Sequence, residues 1–111
     1  MTGYFELKQA AGSQFIFNLK AANHHVILTS QRYASKAGAE GGIASVQKNT
    51  TSDERFQRKT AKDNSPYFVL VATNGEVVGT SEMYSSVQAM EQGIASVKAS
   101  APGAPTKNLP A

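Results

Sequence analysis

The chain has 111 residues, of which 17% are charged and 41% hydrophobic, and its formal net charge is +3. This length suits one modest core, so we predict a single domain spanning residues 1–111. The absence of cysteine excludes disulfides, thiolate metal sites and cysteine nucleophiles. The first residues do not resemble a signal peptide, and no stretch is apolar enough for a membrane helix, so we expect a cytoplasmic protein without membrane contact.

The first predicted strand covers residues 5–8, where apolar and polar residues alternate, and the same pattern returns at residues 56–59. The echo continues without a gap, since 18 of the 42 residues from 5 to 46 are identical to the residue 51 positions later. Such ungapped identity indicates an internal duplication. We place repeat 1 at about residues 3–49 and repeat 2 at about residues 54–100.

A predicted hairpin follows in each repeat, formed by strands rich in aromatic and β-branched residues. These strands cover residues 15–21 and 25–29 in repeat 1, and residues 67–72 and 76–80 in repeat 2. The pair Asn74-Gly75 favours a two-residue turn with positive φ at both central residues, and Asn23-His24 occupies the matching place. We therefore expect the same two-residue turn in both repeats.

The last predicted element of each repeat is an amphipathic helix. Ser35 and Ser86 are suitable N-caps, because their hydroxyls can accept from backbone donors in the first turn. Apolar residues then recur at spacings of three and four, and the helices run to residues 48 and 99. Gly42 and Gly93 lie inside them at a cost of about 1 kcal/mol each. We interpret these glycines as sites where the helix closely approaches the sheet or its sister helix.

The doubled motif identifies a family. Residues 28–33 (Leu-Thr-Ser-Gln-Arg-Tyr) and residues 79–84 (Gly-Thr-Ser-Glu-Met-Tyr) are each followed by Ser-x4-Glu-x-Gly-Ile-Ala-Ser-Val. With these paired motifs the chain resembles the YegP-like family of small, uncharacterised bacterial proteins. The resemblance implies units of three strands, a helix and a short last strand, and it implies that two units exchange their last strands. It implies no catalytic or binding residue.

The predicted fold class is therefore α+β. Two tandem β-β-β-α(-β) repeats form one antiparallel sheet with two helices on one face, related by a pseudo-twofold axis. The tail at residues 101–111 contains three prolines and is predicted to be either flexible or a short edge strand. The resemblance implies that such a strand would come from around residues 104–107.

Candidate catalytic and metal-binding residues are few. His24 and His25 are the only histidines, and neighbouring side chains in a strand or tight turn diverge, which disfavours joint metal ligation. No Gly-x-Ser-x-Gly elbow supports a serine nucleophile. Gly38, Gly41 and Gly42 lie in a predicted helix and not in a phosphate-binding loop. We therefore expect a non-enzymatic protein without metal or cofactor.

The face of the sheet opposite the helices is the predicted interaction surface. Alternation with the core positions places Lys20, Tyr67, Val69 and Val71 on it. An uncovered face of this kind suits contact with a protein partner, which is the predicted function. Lysines and tyrosines together also suit single-stranded nucleic acid, which is the alternative. The protein itself is predicted to be a monomer.

Overall fold

The computed structural model describes residues 3–108, which form seven strands and two helices. The strands are β1 (Tyr4–Ala10), β2 (Gln14–Lys20), β3 (Val26–Thr29), β4 (Phe56–Thr60), β5 (Pro66–Val71), β6 (Val77–Thr80) and β7 (Thr106–Asn108). The helices are α1 (Lys36–Asn49) and α2 (Val87–Ser100). Short 3-10 turns at Ala11–Ser13 and Asp53–Arg55 precede β2 and β4.

All seven strands belong to one sheet in the order β4-β5-β6-β3-β2-β1-β7. The two repeats meet at its centre, where Thr29 of β3 pairs with Thr80 of β6. Neighbouring strands are antiparallel except that β7 runs parallel to β1. The predicted α+β fold with two repeats in one sheet is confirmed, and β7 makes that sheet mixed. Of the predicted tail, residues 109–111 lie outside the described residues.

Both helices cover the same face of the sheet. Phe5 and Phe17 of repeat 1 and Phe68 of repeat 2 are fully buried, and they belong to one continuous cluster of core side chains. The helices contribute Ala39, Ile43, Val46, Met90, Ile94 and Val97 to that cluster. Because apolar side chains from both repeats fill one core, each repeat depends on the other for much of its buried area.

The serine of the repeated sequence motif replaces a strand hydrogen bond where β3 and β6 end. The Ser30 hydroxyl oxygen accepts from the backbone N–H of Phe17 at 2.9 Å, and the hydroxyl donates to the next carbonyl at 2.7 Å. Ser81 makes the same two bonds in repeat 2, accepting from the N–H of Phe68. The serines thus satisfy backbone groups that would otherwise be buried without a partner, which explains their place in both repeats.

The two helices begin where the sequence predicts. The side chain of Ser35 accepts from the N–H of Gly38, and that of Ser86 accepts from the N–H of Ala89, both at 3.0 Å. Each helix has 14 residues and ends one residue later than predicted. Within residues 3–108, neither helix is long and apolar enough to cross a membrane.

At Gly42 and Gly93 each helix closely approaches the side chains below it. A Cβ built on Gly42 would lie 2.7 Å from Cζ of Tyr33, and one on Gly93 would lie 2.6 Å from Cζ of Tyr84. Each tyrosine ring stacks on a core phenylalanine, with interplanar angles of 13° in repeat 1 and 12° in repeat 2. The predicted close approach is therefore present, and the tyrosine of the family motif is what fills the space.

The prediction of a two-residue turn between the second and third strands is wrong. The backbone bonds from Ala21 to His25 and from Ala72 to Glu76, both 2.9 Å, close loops of three residues. Positive φ occurs only at the last residue of each loop, His24 at 71° and Gly75 at 84°. The preceding Asn23 and Asn74 are not in that region. Instead, the side-chain oxygen of Asn23 accepts from the N–H of His25 at 3.1 Å. The geometry is a type I turn followed by one left-handed residue, in which asparagine stabilises the turn through its side chain.

Candidate functional site

The side of the sheet that faces away from the helices, here called the open face, carries the residues that alternate with the core. In sheet order its residues are Gln57 and Lys59 of β4, Tyr67, Val69 and Val71 of β5, Val77 and Thr80 of β6, Val26 and Thr29 of β3, Ile16, Asn18 and Lys20 of β2, Tyr4, Glu6 and Lys8 of β1, and Lys107 of β7. The strand pairings place all four predicted interaction residues on this face.

The repeat 1 half of the open face is a charged cluster. The ammonium group of Lys20 lies 2.7 Å from the carboxylate of Glu6, and this hydrogen bond raises the pKa of Lys20. The ammonium of Lys107 lies 4.5 Å from the ring centre of Tyr4, a cation–π contact. The hydroxyl of Tyr4 is 2.7 Å from Nδ1 of His24. Lys20 and Tyr4 are therefore engaged within the protein.

The repeat 2 half is mainly apolar. Val69 and Val71 are each only 5% exposed, although neither belongs to the core beneath the helices. The cross-strand neighbours of Val69 on this face are Gln57 and Thr80. Val77 is 37% exposed. The two buried valines thus form the floor of a shallow apolar area, which the half-buried Tyr67 borders.

The four predicted residues share the face without forming one cluster. Lys20 lies on β2, whereas Tyr67, Val69 and Val71 lie on β5, and two strands separate β2 from β5. At about 4.8 Å between neighbouring strands, this is a separation of roughly 14 Å. At the centre of the face the small side chains of Thr29 and Thr80 lie opposite each other, and Thr29 accepts from the amide of Asn18 at 3.0 Å (Oγ1 to Nδ2). The open face is therefore flat at its centre.

A groove on the helix side was missed by the sequence reasoning. It has a volume of about 310 Å³ between α2 and the β2–β3 hairpin, and its polar lining includes His25, Glu82, Tyr84, Gln92 and Ser96. Burial raises the pKa of Tyr84, and the nearby charge of Glu82 raises it further. The signal for it was the nine-residue spacing from Tyr84 to Gly93, because the tyrosine ring lies against the helix at that glycine and both residues line the groove.

The adjacent histidines point to opposite sides of the sheet. His24 contacts Tyr4 on the open face, whereas His25 lines the groove beside α2. Among residues 3–108 no group of three His, Cys, Asp or Glu side chains is arranged to hold a metal ion. His24 and His25 therefore cannot bind the same metal ion, because their side chains lie on opposite sides of the sheet.

The helix side also carries an ion-pair network at the β4 edge. Arg58 donates to the two carboxylate oxygens of Glu91 at 2.6 and 3.0 Å and to Asp53 at 3.2 Å. Lys98 donates to the same oxygen of Asp53 at 2.7 Å. These bonds lower the pKa of both carboxyl groups. The duplicated helix glutamate in repeat 2 therefore has a structural partner, and Arg58 holds α2 to the edge of the sheet.

Comparison with known proteins places the chain in a family. The family described as "Domain of unknown function (DUF1508)" matches residues 10–57 and again residues 61–108. The chain belongs to this family. The two matched spans begin 51 residues apart, which is the spacing of the internal duplication. The DUF1508 match carries no indication of an enzymatic activity or of a partner.

Individual relatives agree over nearly the whole chain. A UPF0339 protein of Bordetella pertussis is 65% identical over 108 residues, which are 97% of this chain and 96% of that protein. UPF0339 protein YegP of Escherichia coli K12 is 50% identical over 99 residues, which are 89% of this chain and 90% of that protein. The resemblance to the YegP-like family is thus confirmed.

Solved structures of DUF1508 relatives share the fold. The solution NMR structure of yegP from E. coli, a protein of unknown function, has a TM-score of 0.92 at 47% identity and covers 97% of this chain and 93% of that one. The NMR structure of a UPF0339 protein from Shewanella oneidensis has a TM-score of 0.93 at 45% identity, covering 98% and 92%. The seven-stranded sheet with two helices is therefore a family fold.

Proposed function

We propose that the open face binds a protein partner whose contacting surface is acidic, in a role of binding and not of catalysis. The observation that carries this proposal is the placement of both helices on the other side of the sheet. Within residues 3–108 no element covers the open face. An extended, flat and rigid surface of this kind suits a macromolecule better than a small ligand, which needs a concave site. The cytoplasm stays the predicted location of this contact.

The charge of the open face supports an acidic partner. Lys8, Lys20, Lys59 and Lys107 lie on it with Glu6 as the counter-charge, which already pairs with Lys20. The surplus of positive charge steers an acidic surface toward the face and disfavours basic ones. Because the lysines lie toward the outer strands, they can form the polar rim of an interface.

The apolar area of β5 supports a contact centred on repeat 2. Tyr67 and Val77 offer accessible apolar surface, and the buried Val69 and Val71 give that area a fixed floor. Tyrosine is enriched at the centre of protein interfaces because it combines a large apolar ring with a hydroxyl group. The predicted interaction residues of β5 therefore form the proposed centre, while Lys20 belongs to the rim.

Single-stranded nucleic acid remains the alternative, supported by the same lysines. Sequence-tolerant binding also requires aromatic rings on which bases can stack. Lys107 already occupies a place over the ring of Tyr4, and the hydroxyl of Tyr4 is bonded to His24. Among the described open-face residues, Tyr67 is then the one aromatic ring without a cation–π or ring–ring contact inside the protein, so it is the one ring available for stacking with a base. These contacts favour the protein partner.

The test uses two valine-to-glutamate substitutions on opposite sides of the molecule. Val69→Glu introduces a negative charge into the proposed centre, whereas Val87→Glu places the same change on the 63%-exposed first residue of α2. A partner isolated by affinity capture should bind the parent and Val87→Glu proteins equally and bind Val69→Glu at least about tenfold more weakly. Equal binding by all three folded proteins would contradict the proposal.

The nucleic-acid alternative has its own measurement. Mixed-sequence single-stranded RNA and DNA are titrated at low and moderate salt, with the parent and Tyr67→Ala proteins. We expect no saturable binding. Affinity that falls steeply with salt and also drops on loss of the Tyr67 ring would favour nucleic acid over the acidic protein.

A further inference from the structure

The two outer edges of the sheet are not equivalent. At one end β7 lies along β1, where the N–H of Phe5 donates to the carbonyl of Pro105 at 2.8 Å and Lys107 lies opposite Glu6. At the other end is β4, and within residues 3–108 no strand lies beyond it. The pseudo-twofold axis relates β1 to β4. The position beside β4 that corresponds to β7 is therefore unoccupied within the described residues.

The backbone of β4 is oriented to accept a strand there. The pairs between β4 and β5 lie 51 positions after the pairs between β1 and β2, so both edge strands have the same register. Phe5 directs its N–H toward β7, and its equivalent on β4 is Phe56. Backbone direction alternates along a strand, so Phe56, Arg58 and Thr60 all direct their N–H groups away from β5. The N–H of Phe56 bonds to the carbonyl of Asp53 and is not available. Arg58 and Thr60 therefore supply the outward donors.

We propose that the β4 edge binds an extended, acidic peptide segment of a partner protein, in the way that β7 lies along β1. The charges at the two edges differ, although Lys8 and Lys59 are equivalent. Lys107 of β7 lies opposite Glu6 of β1 in the strand register, while its ammonium group lies over the Tyr4 ring and Glu6 pairs with Lys20. On β4 the residue in register with Glu6 is Gln57, and Arg55 and Lys59 lie two positions to either side of it. A guest strand at β4 therefore lies beside Arg55 and Lys59, with the neutral Gln57 where β1 carries Glu6.

A second copy of the chain suits this edge less well. Two β4 strands paired with each other would bring Arg58 and Lys59 of both copies together, and like charges on facing strands are destabilising. The helix side of the edge is polar too, because Arg58 is bonded to Glu91 and Asp53 where the matching residue of β1 is the buried Leu7. The guest should thus carry acidic side chains toward the open face and small polar ones toward the helices.

This edge differs from the proposed contact surface of the open face and does not depend on it. Strand addition uses the backbone of β4, whereas the open-face contact is centred on side chains of β5, and the two share only Lys59, which belongs to the rim of the open face. Amide exchange at individual β4 residues can therefore separate the two.

The probe is the peptide acetyl-Ser-Glu-Thr-Glu-Thr-Glu-amide, with acetyl-Ser-Lys-Thr-Lys-Thr-Lys-amide as the charge-reversed control. NMR hydrogen exchange of the full chain at low salt follows the amides of Arg58 and Thr60. We expect the glutamate peptide to slow exchange at both amides in a saturable way, and the lysine peptide to have no effect. Absence of protection by the glutamate peptide would overturn the proposal.

Three variants locate the binding. Lys59→Glu should weaken binding of the glutamate peptide by at least about tenfold. Lys8→Glu, the equivalent change on the covered strand β1, should leave that affinity unchanged. Thr60→Pro removes an outward N–H at the end of an edge strand, where proline is tolerated, and should also weaken binding. Equal binding by the parent and Lys59→Glu proteins contradicts the proposal. Protection that instead grows with protein concentration, without peptide, would show that a second copy occupies the edge.

Discussion

At the centre of the sheet the two repeats pack through unlike residues at equivalent positions. Leu28 of β3 is fully buried, and the residue 51 positions later is Gly79 of β6. A Cβ built on Gly79 would lie 2.6 Å from both Cγ and Cδ2 of Leu28. The leucine of repeat 1 therefore fills the space that the glycine of repeat 2 leaves, and an alanine at position 79 should clash with it.

The magnitudes follow from these contacts. Gly79→Ala gains about 0.4–1 kcal/mol by restricting the unfolded chain, but overpacking a closed site costs about 1–3 kcal/mol, so we expect net destabilisation of about 1–2 kcal/mol. Leu28→Ala should cost about 2–5 kcal/mol. In the double variant the new methyl group enters the space that the leucine vacates, so the two costs should not add. We expect a favourable coupling of about 1–3 kcal/mol.

Urea denaturation of the parent, both single variants and the double variant measures this coupling. The four proteins should unfold in two-state transitions with the same dependence on urea, so that midpoints report stability alone. If the two losses add to within about 0.5 kcal/mol, the side chain at position 28 does not fill the space beside residue 79, and the reasoning is refuted.

Other substitutions test the repeated contacts. Gly93→Leu should destabilise by about 1–3 kcal/mol through overpacking against Tyr84, and Tyr84→Ala in the same chain should reduce that loss; a higher melting temperature for Gly93→Leu would contradict it. Ser81→Ala should cost about 1–3 kcal/mol in chemical denaturation, because it leaves a buried N–H without its acceptor. Arg58 lowers the pKa of the Glu91 carboxyl below its ordinary value of 4.5, so this ion pair stabilises the fold above pH 4.5 and its contribution is lost as the pH falls through the lowered pKa. In Arg58→Met the stability should change less over that acid range, by a modest amount that salt reduces, and an unchanged pH profile would refute the role of the pair.

Much of the fold follows from the sequence because the duplication reports each element twice. The strands, the caps at Ser35 and Ser86 and the close approach at Gly42 and Gly93 all follow from local patterns. The prediction for the loops is wrong because an asparagine followed by a left-handed residue occurs in two-residue and in three-residue loops. The sequence therefore does not determine the loop length, and His24 is the left-handed residue that follows a type I turn. The contacts of Tyr33 with Gly42 and of Tyr84 with Gly93 were not predicted. Hydrophobic periodicity indicates which positions are buried but not which side chains they contact.

The candidate site was predictable in outline and not in its contacts. Alternation placed Lys20 and Val69 on the open face, and the strand pairings agree. The ion pair of Lys20 with Glu6 requires knowing that β1 pairs with β2, and the cation–π contact of Lys107 requires the return of β7 to β1. Near-burial of Val69 depends on side chains of two neighbouring strands. Such contacts join distant parts of the chain and leave no local pattern.

The central claim is that the two repeats share one core, and the fragment of residues 1–51 tests it most directly. It retains repeat 1 but loses β6, β7 and α2, which pack against β3 and β1 in the full chain. Light scattering combined with urea denaturation gives its mass and its unfolding transition. We predict that the fragment self-associates or shows no cooperative transition, whereas the full chain unfolds cooperatively. A monomeric fragment with a cooperative transition would contradict the shared core.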